Sequence, residues 1–193
     1  MTTGDRGGRE LTEACRRELS GWAPPTPAQD QLRRHYLKHL RVRADGWARA
    51  SPGEHLTASA LVCAPEERLV LLTLHAKIKR WLQTGGHLEA HDRSLPEAAL
   101  REAGEESGLP GLRVDPVPLL LSRHQVSCGG EPTFHLDVQY LVRASVNVPP
   151  VVTAESLAVS WFGWRALPDV DDSVRALVAA AACRLGWHPP ARS

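Results

Sequence analysis

The sequence is short of net charge. Lys and Arg number 23 and Asp and Glu 22 in 193 residues, which leaves a formal +1. No global field therefore draws the chain towards polymeric nucleic acid or an anionic membrane. Long apolar runs are also missing. No window approaches the roughly 18 apolar residues of a membrane span, and Met1–Gly8 lacks the apolar stretch of a signal peptide. The cysteines, Cys15, Cys63, Cys128 and Cys183, are scattered and make no Cys-x-x-Cys pair. Neither a thiolate zinc site nor a redox motif is suggested, and isolated thiols fit a reducing cytosol. There is no internal repeat. A cytoplasmic protein without a membrane partner is expected.

What is present is a chain long enough for one ordinary domain with a real core. Its charge is unevenly placed: Arg33, Arg34, Arg41, Arg43 and Arg49 crowd the first fifty residues, whereas the charged residues from Glu89 to Glu106 are mostly acidic. Residues 1–8 are expected to be disordered, and 9–20 to form a short helix broken at Pro24-Pro25-Thr26-Pro27. A second helix is expected from Ala28 to about Val42, with Leu32, Tyr36, Leu37 and Leu40 on one face. Its polar face, with Arg33, Arg34 and Lys38, reads more readily as solvated surface than as an anion site. Strands are expected at Thr57–Ala64, Arg68–His75, Trp81-Leu82, Leu112–Ser122, Phe134–Ala144 and Leu157–Trp164. Helices are expected at 94–107 and from about Asp172 to Gly186. Adjacent strands with helices between and after them favour an α/β fold with a mixed sheet covered by helices. The N-terminal helices, residues 1–50, read as an extension to a domain over 51–190.

The chemistry is concentrated between Gly85 and Leu109. Gly85-Gly86 follows a short strand and permits a sharp turn and close backbone approach. Ser94, Pro96 and Glu97 form a coherent helix start, and Gly108 suits a left-handed end. Glu102, Glu105 and Glu106 stand three and four residues apart, so their carboxylates share one helix face. Such a row repels itself by a few tenths of a kcal/mol per pair. A divalent cation turns that repulsion into attraction, and hard oxygen ligands suit Mg²⁺. Arg101, four residues before Glu105, is placed to pair with it.

Arg101-Glu102-Ala103-Gly104-Glu105-Glu106-Ser107-Gly108-Leu109 resembles the second half of the Nudix box. That half reads Arg-Glu, an aliphatic, any residue, Glu-Glu, any residue, Gly and an aliphatic. Counting from Gly86, the acid of the first half falls on Asp92, one carbon shorter than the usual Glu. Eight residues separate it from Arg101 where the pattern has seven, a one-residue insertion in the loop before the helix. His55-Leu56-Thr57-Ala58-Ser59-Ala60, the run from His75 to Gln83 and Gly85-Gly86-His87 are similar to a bacterial Nudix branch.

The resemblance implies a Nudix-type α/β/α sandwich and a hydrolase that cleaves the diphosphate linkage of a nucleoside diphosphate derivative or nucleoside triphosphate. Mg²⁺, with Mn²⁺ as substitute, would be held by the Gly86 carbonyl and by Glu102, Glu105 and Glu106. Arg101 would orient the glutamates, and Glu105 or Glu155 would be the general base. Candidate substrate contacts are His87, Lys77, Arg80, His135 and Asp137. On one strand His135 and Asp137 should share a face that Tyr140 does not. Trp81, Trp161 and Trp164 read more readily as core than as base-stacking residues. Neither the Pro nor the Tyr that marks ADP-ribose and dinucleoside polyphosphate enzymes stands near His124 to Cys128. Two other readings stay open. One is a non-catalytic nucleotide-binding domain, against which the intact glutamates speak. The other is a prenyl diphosphate isomerase, for which no pattern around Cys63 or Cys128 argues. The expected partner is a small nucleotide-like molecule, and a homodimer is an open question.

Overall fold

Strand pairing is organised around the first long strand, β1 (Glu54–Ala64), whose residues are almost all buried. The computed structural model describes residues 3–128, 131–154 and 156–188, without the side chains of 3–6, 127, 128 and 131. Two helices precede β1, α1 (Thr3–Gly21) and α2 (Pro27–Val42). After it come β2 (Leu69–His75), β3 (Trp81–Leu82), β4 (Thr84–His87) and α3 (Leu95–Ser107). The chain continues through β5 (Arg113–Val114), β6 (Leu120–Cys128), β7 (Glu131–Arg143), β8 (Ser156–Gly163) and α4 (Asp172–Arg184).

One edge of β1 runs parallel to β7, from Glu54 opposite Phe134 to Cys63 opposite Arg143. The other edge is shared between two antiparallel strands. Near its start β1 pairs with β4 over Thr57–Ala60, and near its end with β2 over Val62–Ala64. β2 continues the sheet to β3 and β8, while β7 carries β5 and β6. The result is the expected mixed sheet, forked where β1 passes from one partner to the other.

Side chains alternate between the two faces of a strand, and here the faces differ. Leu56, Ala58, Ala60 and Val62 of β1 join Leu136, Val138 and Tyr140 of β7 in an apolar layer under α1, α2 and α3. On the opposite face, Leu61 and Cys63 of β1 and Leu141 of β7 pack with Val174, Leu177, Val178 and Ala181 of α4. That second face is apolar over only part of its length. Towards the starts of β1 and β7 it carries buried His55, Thr57, Ser59, Asp137 and Gln139 instead.

The helices begin where their caps dictate. Thr26, Ser94 and Asp171 each accept a hydrogen bond from the amide three residues on, and Pro occupies the first turn of α2 and α3. Leu11, Cys15 and Leu19 of α1 and Tyr36 and Leu40 of α2 share one core with Leu95, Ala98, Ala99 and Ala103 of α3. Each fully buried leucine-sized side chain contributes about 1.5–3 kcal/mol. Polar ties reinforce the layer. Gln29 donates to the Leu121 carbonyl at 3.0 Å and accepts from its amide at 2.6 Å. The Tyr36 hydroxyl donates to Ser122 O at 2.9 Å. Glu18 accepts from the Leu95 amide at 3.2 Å, across 77 residues.

Several boundaries differ from the sequence reading. α1 starts at Thr3, not after a disordered stretch of eight residues. Gly8 admits the Trp47 ring: an added Cβ would lie 3.2 Å from it, and Trp47 Nε1 donates to Gly8 O at 3.1 Å. Gly85 and Gly86 lie within strand β4, not in a turn. The strand expected at Leu112–Ser122 is divided, because Pro116 and Pro118 interrupt the ladder, and β6 runs on to Cys128.

Candidate active site

The carboxylate row is displayed because α3 buries its other side. Ala98, Ala99 and Ala103 are fully buried towards the sheet, which turns Arg101, Glu102, Glu105 and Glu106 towards β4 and solvent. The glycine doublet then meets this edge. The Glu102 carboxylate lies against Gly86, where an added Cβ would stand 2.6 Å from Oε1. Glu106 accepts the Gly85 amide at 2.8 Å. Gly85 has φ 153°, and a Cβ there would stand 2.3 Å from Ser59 Cβ. Gly85 therefore needs glycine, whereas a Cβ at Gly86 would push the Glu102 carboxylate out of its place.

Arg101 ties loop and helix together. Its guanidinium donates to both Asp92 oxygens, at 3.1 and 3.0 Å, and to the His87 carbonyl at 2.9 Å. It also donates to Glu102 at 2.9 Å and Glu105 at 3.1 Å. The hydrogen bonds to Asp92 above all push the guanidinium pKa up, so Arg101 is a fixed cation. Asp92, with a side chain only 1 % exposed, also accepts the Glu89 amide at 2.8 Å. The shortened acid of the loop thus reaches the arginine. Glu105 is the most exposed of the row.

A second cluster stands on the opposite face of the sheet, towards the starts of β1 and β7. His55 is fully buried, while His87 and His135 are partly buried. The His55 ring lies 5.0 Å from each of the other two, centroid to centroid, and those two lie 5.1 Å apart. One ring nitrogen from each falls within 4.8 Å of the others. Among the described residues this is the one trio of His, Cys, Asp or Glu that meets so closely. Burial lowers the pKa of His55, takes His87 to about 4 and takes His135 to about 3, helped by neighbouring imidazoles and Arg49. All three are neutral at pH 7. Beside them the buried Asp137 accepts from Thr57 at 3.0 Å and Ser59 at 2.7 Å. Burial raises its pKa against the pull of those hydroxyls.

The structure therefore brings Gly86, His87, Arg101, Glu102, Glu105 and Glu106 together, with His135 and Asp137 on the neighbouring face. Lys77 and Arg80 stand on the exposed turn between β2 and β3, where Arg80 lines a surface cavity with Asp169, Val170, Asp171 and Asp172. Glu155 lies outside the described residues. Trp81 packs edge-on against Phe162, and Trp164 faces Trp187 at 6.0 Å, in the layer under α4. Of the histidine trio, His55 had no functional reading from sequence. The signal that finds it is register: His55 is the β7 partner of His135, and His87 pairs with the adjacent Thr57 of β1.

The fold is shared with solved structures of low sequence identity. The NUDIX domain of Shewanella oneidensis NrtR, solved with ADP ribose, is 19% identical over 72% of this chain and 92% of its own, with a TM-score of 0.53. The Nudix hydrolase RenU of M. smegmatis is 22% identical over 73% and 91%, with a TM-score of 0.51. An Ap4A hydrolase of C. elegans is 14% identical over 68% and 97%, also at 0.51. No curated protein matches the sequence. The NUDIX domain profile does match, over residues 53–181, from the start of β1 into α4. With that match over most of its length, and with the α/β/α arrangement it predicts, the chain belongs to the Nudix family.

Proposed function

We propose that this chain is a metal-dependent hydrolase that cleaves the diphosphate linkage of a nucleoside diphosphate derivative or a nucleoside triphosphate. Mg²⁺ is the cofactor in this reading and Mn²⁺ a substitute. The observation that carries it is the closure of the glutamate edge of α3 on the glycine doublet. A single added methyl at Gly86 would fill the space now occupied by the Glu102 carboxylate. The carboxylates of Glu102 and Glu106 thus meet the strand edge at the glycine doublet, and a cradle of hard oxygen donors there would fit Mg²⁺. The Gly86 carbonyl and the carboxylates of Glu102, Glu105 and Glu106 would hold the ion. Bound there, it supplies neutralisation of phosphate charge and lowers the pKa of a coordinated water.

The chain's own residues do the rest. Arg101 is a positioning residue, fixing Glu102 and Glu105 against Asp92 and the His87 carbonyl. Glu105, exposed and held at one oxygen, is the general base that takes a proton from the attacking water. Glu155 is the alternative base. His87 and His135 present neutral imidazoles to the anionic substrate, with Asp137 behind them through its hydroxyl partners. Lys77 and Arg80 supply positive charge from the turn. Residues 1–50 form a helical extension to the hydrolase domain over 51–190, and the protein works in the cytoplasm.

The test is a substrate panel with Mg²⁺ or Mn²⁺ that includes ADP-ribose, Ap4A and the nucleoside triphosphates. The expected result is metal-dependent release of phosphate products from at least one, with the rate lost by orders of magnitude in Glu106→Gln. Nucleotide binding without turnover of any of them favours the non-catalytic reading. A wild-type rate in Glu106→Gln sinks the mechanism.

A further inference from the structure

We propose that His55, His87 and His135 form a second metal site, built for a borderline divalent transition metal such as Zn²⁺. It is distinct in chemistry from the glutamate cradle, and it does not rest on the hydrolase reading. Three observations support it.

The first is geometry. Three ring nitrogens lie within 4.8 Å of one another. Tetrahedral ligands at ~2.0–2.1 Å from zinc stand about 3.3 Å apart, so rotations that move each ring by an ångström or so complete the set. The second is burial. His55 is 0% exposed, and neither of its ring nitrogens has a partner of good hydrogen-bond geometry, although the Ser51 backbone lies close enough to act on the ring. A buried polar group without a full partner is destabilising, and a metal bond removes that cost. The third is donor type. Imidazole nitrogen suits zinc and its neighbours in the first transition row, whereas Mg²⁺ prefers oxygen. Asp137 stands two residues beyond His135 on the same face of β7.

The scaffold fixes the backbone positions from which the three rings reach one another. His55 and His135 are fixed by the β1–β7 ladder, and His87 by β4 and by the bond from Arg101 to its carbonyl. Three protein ligands leave a fourth position, the arrangement of zinc sites that also bind water or substrate.

The experiment uses the full chain, stripped with a chelator and titrated with Co²⁺ and Zn²⁺. The expected result is tight binding of one equivalent, with the intense visible absorption of low-coordinate Co²⁺. X-ray absorption of the zinc form should then show imidazole ligands. Glu102→Gln and Glu106→Gln should keep this signature, and His135→Gln and His87→Asn should weaken zinc binding by about 100-fold or more. An all-oxygen zinc environment in the wild-type protein overturns the proposal. So does wild-type affinity in folded histidine variants. Should those variants fail to fold, ligand counting on the wild-type protein decides alone.

Discussion

The glutamates of α3 and the histidines of the sheet are neighbouring donor sets assembled by opposite routes. Glu102, Glu105 and Glu106 come from one helical turn and a half, and their common face follows from spacing alone. His55, His87 and His135 come from three strands, and their meeting follows from a parallel register and an antiparallel one. The first set lines the edge of a helix and is marshalled by a cation, Arg101, which bonds Glu102 and Glu105. The second is desolvated enough to be neutral. Local order thus gives hard, anionic donors here, and long-range order gives softer, uncharged ones.

The sharpest way to separate the two sets is Glu106→Gln. It should lower metal-dependent hydrolysis by about 10²–10³-fold, the scale of losing one preorganised polar group from a site. It should leave the Co²⁺ absorption untouched, and loss of both would mean that the sets are one site. Next is Asp92→Ala, which leaves Arg101 facing two glutamates without its buried partner. Arg101 stays paired with Glu102 and Glu105, so the cost is that of lost charge-assisted hydrogen bonds, about 1.5–3 kcal/mol, measurable as a fall in the urea midpoint. A change near zero would mean that solvent replaces Asp92 without penalty.

A smaller effect is expected at Glu18, which holds the Leu95 amide at the start of the glutamate helix. Burial raises its carboxyl from 4.5 to about 7. The folded state therefore binds this proton more tightly than the unfolded one, so stability should fall as pH rises from about 4.5 to about 7. Glu18→Gln keeps an acceptor oxygen and should flatten that part of the pH–stability curve; an unchanged slope would assign it to another group. Smallest is Ser94→Ala, which removes one cap at a cost of about 1 kcal/mol. It should shift thermal unfolding slightly and leave the histidines' metal spectrum alone.

What could be read from the sequence follows the same division. Ser94 and Gly108 marked the ends of α3, the row Glu102, Glu105 and Glu106 marked its working edge, and the major strands were visible as apolar runs. These are local signals. Gly85 and Gly86 were misplaced in a turn because glycine is scarce in strands, and only the approach of Ser59 and Glu102 explains them. The helix through Gly4, Gly7 and Gly8 was missed because packing on Trp47 overrides a weak local preference. The alternation of His135, Asp137 and Tyr140 was legible from the two-residue period of a strand, and the structure has Tyr140 in the core under α1–α3. His55 was not legible as a site residue. No spacing in one dimension links it to His87 and His135.

The parallel ladder between β1 and β7 also has a kinetic consequence. It joins residues as distant as Thr57 and Asp137, 80 positions apart. Closing so long a loop spends chain entropy before any contact repays it, and such pairings slow folding. A helix with local caps such as α3 forms on far shorter timescales. The glutamate row can therefore exist in a partly folded chain, while the histidine trio exists only once the ladder has closed. An ion held by those three rings would bind the native state and not its precursors, so its arrival would time the last step of assembly and its removal would hasten unfolding.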